Sequence, residues 1–233
     1  MKALATAFTI LLPLGLTARA STILHTVDPQ LYRDEAALYP EVGSVGGSGN
    51  QGSGVLISDR WVLTAGHVAD FKTGGSYSIG GNIYTIQSYV TAPDHPIFGV
   101  TNDVDLLYLS SAVTGIEAAT MWRFDNPADL LGREATWVGF GFGGDGLTGN
   151  NFSPEKRAFT NVIDGVTPNF GLPGPSFYSD FDNPDGTTNS LTSGSATATR
   201  LEGNVTPGDS GGGVFVTVGG QRYLVGINSY TSG

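Results

Sequence analysis

Short apolar segments separated by turn residues dominate the chain from about residue 40 onward. Residues 54–58 and 61–65 each form an apolar run, and Asp59-Arg60 supplies a turn between them. Strands at such spacing, with turn signals between them, are typical of an all-β protein and not of alternating βαβ units. The same pattern predicts further strands, at residues 82–90, 104–109, 134–140, 157–163, 196–201, 213–218 and 222–227.

The spacing of these strands also predicts how the chain divides. Residues 114–132 carry alanines, acids and a proline but no strand pattern, so we interpret them as a connection between two β units. The first unit then occupies residues 21–113 and the second residues 133–233. Residues 21–39 are polar and contain Asp28-Pro29, which predicts an irregular segment at the start of the first unit.

The N-terminus has the layout of a secretory signal peptide over residues 1–20. Lys2 gives a positive start, residues 3–16 are uncharged and mostly apolar, and Ala18-Arg19-Ala20 is a small-residue cleavage site. The apolar run is too short for a comfortable membrane span. We therefore expect a mature chain that starts near Ser21, is secreted outside the cell or into a periplasm, and keeps no membrane span. An N-terminal membrane anchor is the alternative.

Composition and charge exclude several functional classes. The content of 35 glycines and 39% hydrophobic residues suits a turn-rich β protein with a core. The formal charge is -10, and a leader that holds Lys2 and Arg19 but no acid makes the mature chain more acidic still. Such a chain lacks the clustered cations that nucleic-acid binding needs. The absence of cysteine excludes disulfides, a thiol nucleophile and cysteine-bound zinc, and it favours a bacterial origin.

Two segments contain candidates for nucleophilic catalysis. A serine hydroxyl needs an adjacent base near neutral pH, and the chain has three histidines. His67 directly follows an apolar run and a glycine, whereas His25 and His95 lie in polar or proline-containing segments typical of solvated rings. Ser210 lies between Gly208 and Gly211, where a substrate carbonyl can approach the backbone and two amides can point at one oxyanion.

Three segments together resemble the signatures of trypsin-like serine proteases of the chymotrypsin family. They read LTAGH at residues 63–67, NDVDLL at 102–107 and GDSGG at 208–212, in the order His, Asp, Ser. Residues 54–58, 137–142 and 226–230 also resemble core segments of the family. The resemblance covers the chain from about residue 39 to residue 233.

The resemblance implies a fold of two antiparallel six-stranded Greek-key β-barrels. Because family members continue through a further strand and a C-terminal helix, the second barrel is expected to be incomplete in a chain that stops at Gly233. The resemblance also implies catalytic roles: His67 as general base and acid, Asp103 as the residue that orients it, and Ser210 as the nucleophile of an acyl-enzyme. Asp105 competes with Asp103, but the family places its aspartate before a branched apolar residue, as in Asp103-Val104.

Other site residues also follow from the resemblance. The amides of Gly208 and Ser210 are expected to form the oxyanion hole. Asp209 is expected to pair with the amine of a newly exposed N-terminus, near Ser21 or Ile23. The specificity pocket is expected to have an uncharged base and therefore no strong preference for Arg or Lys; its residues would be Asn204 at the base and Ser229, Tyr230 and Thr231 along the wall.

The sequence therefore predicts a secreted, monomeric serine endopeptidase that acts on protein or peptide substrates without metal or organic cofactor. A catalytically silent binding protein with the same fold is one alternative. An HtrA-like protease is another, although that group usually has asparagine where Asp209 stands. Asp180 and Asp182 could bind calcium, and we favour a solvated acidic loop instead.

Overall fold

The computed structural model describes residues 22–47, 50–69, 74–92, 103–123, 126–147, 149–151, 155–166, 176–187 and 189–231. These residues are mainly in strands, with short helices α1 (Pro29–Ala36) and α2 (Gly66–Ala69) and a 3-10 turn at Pro127–Leu130. In chain order the strands are β1 (Thr22–Ile23), β2 (Val42–Gly47), β3 (Asn50–Leu56), β4 (Trp61–Thr64), β5 (Ser76–Ile79), β6 (Asn82–Thr91), β7 (Asp105–Leu109), β8 (Glu134–Gly139), β9 (Gly143–Asp145), β10 (Gly149–Asn151), β11 (Arg157–Val162), β12 (Gly165–Val166), β13 (Phe177–Tyr178), β14 (Gly203–Asn204), β15 (Gly213–Val218) and β16 (Gln221–Ile227).

A closed six-stranded antiparallel barrel forms the first unit, in the order β2-β3-β4-β7-β6-β5. Alternate residues point inward and fill it, as the alternating pattern of half-buried strands predicts. Tyr77 is fully buried and donates its hydroxyl to the carbonyls of Glu41 and Gly54, both at 3.2 Å. Gly43 leaves room for its ring, since a β-carbon there would lie 2.7 Å from ring carbons. The all-β fold and the first barrel are confirmed.

The second unit is built on an open antiparallel sheet in the order β11-β8-β15-β16. Its core includes Trp137 and Phe159, whose rings stack with centroids 5.7 Å apart. Two smaller sheets, β10-β9-β1-β14 and β12-β13, lie beside it. A second closed six-stranded barrel is therefore not formed by the residues that the structure describes.

The N-terminal segment differs from the sequence prediction. It is not irregular, because Asp28 caps α1 by accepting from the amide of Gln30 at 2.9 Å, and Pro29 starts the helix. It also packs on the second unit: β1 pairs with β14, and the buried Tyr32 donates to the carbonyl of Glu202 at 3.0 Å. Residues 22–36 therefore belong structurally to the second unit and not to the first barrel.

The two units meet across a shared apolar layer. Val42 and Val55 of the barrel pack in one cluster with Val138, Ala158 and Phe215 of the second sheet. This contact fixes the barrel strand β3 beside the turn that precedes β15. Among the described residues, no helix is long and apolar enough to cross a membrane.

Candidate active site

His67 and Asp103 are brought together by the pairing of two barrel strands. Strand β4 runs antiparallel to β7, with Thr64 opposite Asp105. Residues that follow β4 and residues that precede β7 therefore emerge at the same end of the barrel. His67 Nδ1 lies 3.0 Å from Asp103 Oδ1 and 2.9 Å from Asp103 Oδ2. The His67 amide also donates to Asp103 Oδ1, at 2.9 Å, so Asp103 holds both the ring and its backbone.

The Asp103 carboxylate is ionised at neutral pH. Burial opposes ionisation, but hydrogen bonds from His67 and from the hydroxyl of Ser229 outweigh it and lower the pKa of Asp103 to about 2. Asp105 is placed differently: it is buried in the barrel and accepts from Thr91 Oγ1 at 3.2 Å. The structure thus places Asp103 next to His67.

Ser210 lies in a tight turn against the barrel. Gly211 has a φ of 82°, and a β-carbon there would lie 2.9 Å from the amide nitrogen of Ala65. The turn therefore contacts the residue two positions before His67. Ser210 Oγ donates to the carbonyl of Ser229 at 3.4 Å. Ser229 consequently contacts both Asp103, through its hydroxyl, and Ser210, through its carbonyl.

Two amides in this turn are available to a ligand. The neighbouring amides are used within the fold: Asp209 N donates to Thr206 O at 2.9 Å, and Gly211 N to Asn228 O at 2.7 Å. For the amides of Gly208 and Ser210, the described residues provide no acceptor. Gly208 also has a φ of 98°, a backbone conformation that favours glycine. These are the two amides that the sequence predicted for an oxyanion hole.

Ser53, which the sequence analysis did not identify, fixes this turn from the barrel side. Its amide donates to Ser210 O at 2.7 Å, and its hydroxyl donates to Gly208 O at 2.8 Å. The amide of Phe140 in turn donates to the Ser53 hydroxyl at 2.8 Å. A serine between glycines in a glycine-rich chain gives no sequence signal for such a role.

Asp209 is buried behind the turn, with 3% of its surface exposed. Its carboxylate accepts from the Gly141 amide at 2.7 Å, from the Thr206 amide at 3.0 Å and from the Thr206 hydroxyl at 2.7 Å. β-carbons at Gly139 and Gly141 would overlap it. The predicted N-terminal partner near Ser21 lies outside the described residues, and Ile23 is buried in β1 opposite Gly203.

A pocket of about 270 Å³ opens beside Ser210. It is lined by Val205, Thr206, Pro207, Ser210, Asn228, Ser229, Tyr230 and Thr231. The three residues predicted for the wall are present, and none of these side chains carries a formal charge. Asn204 is not among the lining residues: it pairs with Thr22 in β14, and its side-chain oxygen accepts from the Val205 amide at 2.8 Å.

The comparison with protein families agrees with this geometry. The family model described as Trypsin matches residues 34–233. The chain belongs to the trypsin family. A search of curated proteins found no match.

Solved structures similar to this trypsin-family chain share its fold at low sequence identity. The Rv3671c protease in its inactive form is 18% identical with a TM-score of 0.51, and the match covers 86% of this chain and 83% of that chain. An inactive serine-to-alanine mutant of Rv3671c from M. tuberculosis H37Rv is 15% identical with a TM-score of 0.53, covering 90% and 84%. Human heparin binding protein is 17% identical with a TM-score of 0.57, covering 89% and 83%.

The trypsin-family chain also contains a buried group of carboxyls away from Ser210. Asp180 and Asp182 are 6% and 1% exposed, so the prediction of a solvated acidic loop is wrong. Burial and the charges of Asp180 and Asp164 raise the pKa of Asp182 to about 6, and burial raises that of Glu202 to about 7. No group of three potential ligand side chains in the described ranges is arranged to hold a metal ion.

Proposed function

We propose that this chain is a secreted serine endopeptidase that hydrolyses peptide bonds through an acyl-enzyme. The observation that carries the proposal is the contact of Ser229 with both Asp103 and Ser210. That contact links the His67–Asp103 pair to Ser210, whose own amide and that of Gly208 have no acceptor among the described residues. The trypsin-family match supports the same reaction class.

The proposed reaction assigns one role to each group. Ser210 Oγ attacks the scissile carbonyl carbon while His67 Nε2 accepts its proton, and the carbonyl π electrons move to oxygen. The amides of Gly208 and Ser210 bind that oxyanion. Cleavage of the C–N bond releases an amine that takes the proton from His67, and water then repeats the sequence to hydrolyse the ester. Asp103, ionised and bonded to Nδ1, stabilises the imidazolium.

We propose that the pocket beside Ser210 accepts the side chain before the scissile bond. An uncharged lining cannot neutralise a buried guanidinium or ammonium, so apolar or small side chains fit it better. Asn204 has no place in this proposed pocket, because it does not line the pocket and its side chain accepts from the next amide. The exposed Tyr230 and Thr231 then flank the substrate backbone.

We propose further that leader removal completes the site. Strand β1 is antiparallel to β14, with Thr22 opposite Asn204. The N-terminal end of β1 therefore points toward Val205 and Thr206, and Thr206 donates to Asp209. Cleavage after Ala20 would free the Ser21 amine one residue before this pairing. An ion pair between that amine and Asp209 is supported by this register.

Hydrolysis of a mixed peptide substrate by the mature chain tests the proposal. Ser210→Ala should lower the rate by on the order of a millionfold, as in other triads. Ser111→Ala, at an exposed position, is the matched control and should leave the rate unchanged. If the unaltered mature chain does not hydrolyse peptides, the endopeptidase proposal fails and a binding function on the same fold becomes the better interpretation.

A further inference from the structure

Four carboxyl side chains lie close together in the loops between β11 and β14: Asp164, Asp180, Asp182 and Glu202. Asp164 accepts from the amide of Asp180 at 3.4 Å, and the two carboxyl groups are also hydrogen-bonded to each other. Two carboxyl groups form such a bond only when one of them carries a proton. Glu202 accepts from the amide of Asp182, likewise at 3.4 Å. We call these four residues the carboxyl cluster.

The segment that carries the cluster is free of basic side chains. Residues 158–199 contain no Lys, Arg or His, and the next residue, Arg200, is exposed and paired with Glu35. Tyr32 faces Glu202 from α1, but burial raises the pKa of Tyr32 to about 12, so it is neutral. The charges that act most strongly on Asp182 and Glu202 are those of other carboxylates. Ionisation of the cluster therefore places like charges together.

Two carboxylate oxygens of the cluster are buried without a donor. Oδ1 of Asp180 and Oδ1 of Asp182 have no hydrogen-bond partner among the described residues. By contrast, Asp180 Oδ2 accepts from the amides of Ser190 and Leu191, both at 2.8 Å. An ionised oxygen that is buried without a donor is costly, whereas a protonated carboxyl supplies an O–H that a neighbouring carboxylate accepts. The arrangement is therefore most stable when it holds protons.

The cluster borders the strand that leads into the substrate pocket. Glu202 directly precedes β14, and residues 205–207, directly after that strand, line the pocket. The side chain of Asn161 donates to the carbonyls of Asp180 and Gly203, so one amide connects the acidic loop to β14. Separation of the loop from β14 would break these bonds and remove support from the pocket wall.

We propose that the carboxyl cluster is a pH-dependent switch: when protonated it holds the acidic loop against β14 and supports the pocket wall, and when ionised it releases both. The effect on activity rests on the proposed function, whereas the release of the loop does not. Burial raises the pKa of Asp182 to about 6 and that of Glu202 to about 7. The folded state therefore holds protons in mildly acidic solution, and the stability that they contribute is lost as pH rises through these values.

Hydrogen exchange of the Ser210→Ala variant tests the switch without any need for activity. Between pH 5 and pH 8, after correction for the intrinsic pH dependence of exchange, peptides spanning residues 176–204 should lose about tenfold or more of their protection. Peptides spanning β3 and β4 should keep theirs. Asp182→Asn in this background should reduce the loss, whereas Asp185→Asn, at an exposed position of the same loop, is the matched control. Equal protection of residues 176–204 at both pH values would overturn the switch.

The pH dependence of kcat/KM for the mature chain tests the link to catalysis. His67 acts as a base only when neutral, so this group makes activity rise with pH, while ionisation of the cluster should make it fall above about pH 7. Asp182→Asn should raise kcat/KM at pH 8 by up to about tenfold, the effect of one pKa unit, and Asp185→Asn should not.

The two measurements fail in distinguishable ways. An alkaline fall in kcat/KM that is identical in all three proteins would belong to another group, such as the amine of Ser21, and would overturn the link between the cluster and the active site. Loss of protection at high pH in a chain without peptidase activity would support the switch and reject only the proposed function.

Discussion

His67 Nδ1 lies 2.9 Å from Asp103 Oδ2, although the two residues are 36 positions apart in the chain. The pairing of β4 with β7 creates this contact, and the hydroxyl of Ser229 completes the environment of the carboxylate. A carboxylate next to Nδ1 favours the tautomer that has its proton there, and this tautomer would let Nε2 act as the base of the proposed reaction. A change at Asp103 that preserves shape but not charge is therefore informative.

Asp103→Asn should lower kcat by about 10⁴-fold, the loss known for the corresponding change in a serine protease triad. The side-chain amide introduced by Asp103→Asn fills the same space as the carboxylate. It favours the imidazole tautomer with its proton on Nε2, which cannot accept the proton of Ser210. Steady-state kinetics near neutral pH measure the effect, and Asp129→Asn, at an exposed position, is the control. A loss of less than tenfold would show that Asp103 does not orient the base.

The turn at Gly208 gives a second prediction. Gly208→Ala should lower kcat by roughly a hundred to a thousandfold, the cost of one lost oxyanion donor. Alanine disfavours the φ of 98°, and its β-carbon would lie 2.9 Å from Phe140 O, so the amide must move.

Gly219→Ala is the matched control for this change. Gly219 also has a positive φ, of 59°, but a β-carbon there meets nothing within 4 Å. The control should cost some stability and leave kcat intact. If both variants show the same kcat, the Gly208 amide does not contribute to catalysis.

The stability of the protein should fall as pH rises from about 4 to about 7. Asp182 and Glu202 have pKa values raised to about 6 and about 7 by burial, above their ordinary values of 3.8 and 4.5. In this window the folded state holds protons that the unfolded state has released, so each rise in pH favours unfolding. The loss continues through the pKa of Glu202 and is nearly complete by about pH 8.

Asp182→Asn isolates that effect. It removes a buried charge that faces Asp180 and Asp164, so Tm at pH 8 should rise by roughly 2–4 °C, the change that about 1 kcal/mol gives in a domain of this size. The slope of Tm against pH should also become shallower. Thermal unfolding from pH 4 to pH 8 measures both, and a Tm that rises steadily with pH in the unaltered chain would contradict the prediction.

The uncharged pocket predicts substrate preference. Peptides with Leu or Phe before the scissile bond should be cleaved at least as fast as peptides with Arg or Lys, because the lining of the pocket holds no carboxylate. Comparison of kcat/KM over a matched peptide series tests this. A carboxylate added to the lining by Val205→Asp should raise the rate of cleavage of Arg peptides. Thr206→Asp would be less informative, because Thr206 also donates a hydrogen bond to Asp209. Much faster cleavage of Arg peptides by the unaltered chain would refute the prediction.

Four of the six strands of the first barrel were predictable from apolar runs in the sequence, whereas β2 and β5 were not predicted. Strands β6 and β7 coincide closely with the apolar runs at residues 82–90 and 104–109, and strand β15 has the predicted bounds. Residues 196–201, predicted as a strand, instead form turns in which Thr199 donates to the Glu202 carboxylate. Threonine-rich sequence favours a strand, but this local hydrogen bond between residues three positions apart stabilises a turn instead.

The N-terminal segment shows why other parts were missed. Strands β1 and β14 have two residues each, which is too short to show any periodicity. Asp28-Pro29 signals a helix start as well as a turn, and only the burial of Tyr32 on the second unit decides between them. Contacts of this kind depend on residues 170 positions apart, and no local pattern encodes them.

The same limit applies to the site. His67, Asp103 and Ser210 lie in recognisable segments, whereas Ser53 contributes through partners that are distant in sequence. Ser229 was predicted for the pocket wall, and the structure adds its hydrogen bond to Asp103. The residues next to Ser229 in the sequence do not predict this bond, because its partner Asp103 is distant in the chain.

Covalent labelling by a fluorophosphonate tests the central claim most directly. The mature chain is incubated with the reagent, and the modified residue is located by mass spectrometry of its peptides. An activated nucleophile predicts stoichiometric phosphonylation at Ser210 alone, abolished in Ser210→Ala and strongly slowed in His67→Ala. A folded mature chain that remains unlabelled, or that is labelled equally in Ser210→Ala, would contradict the account.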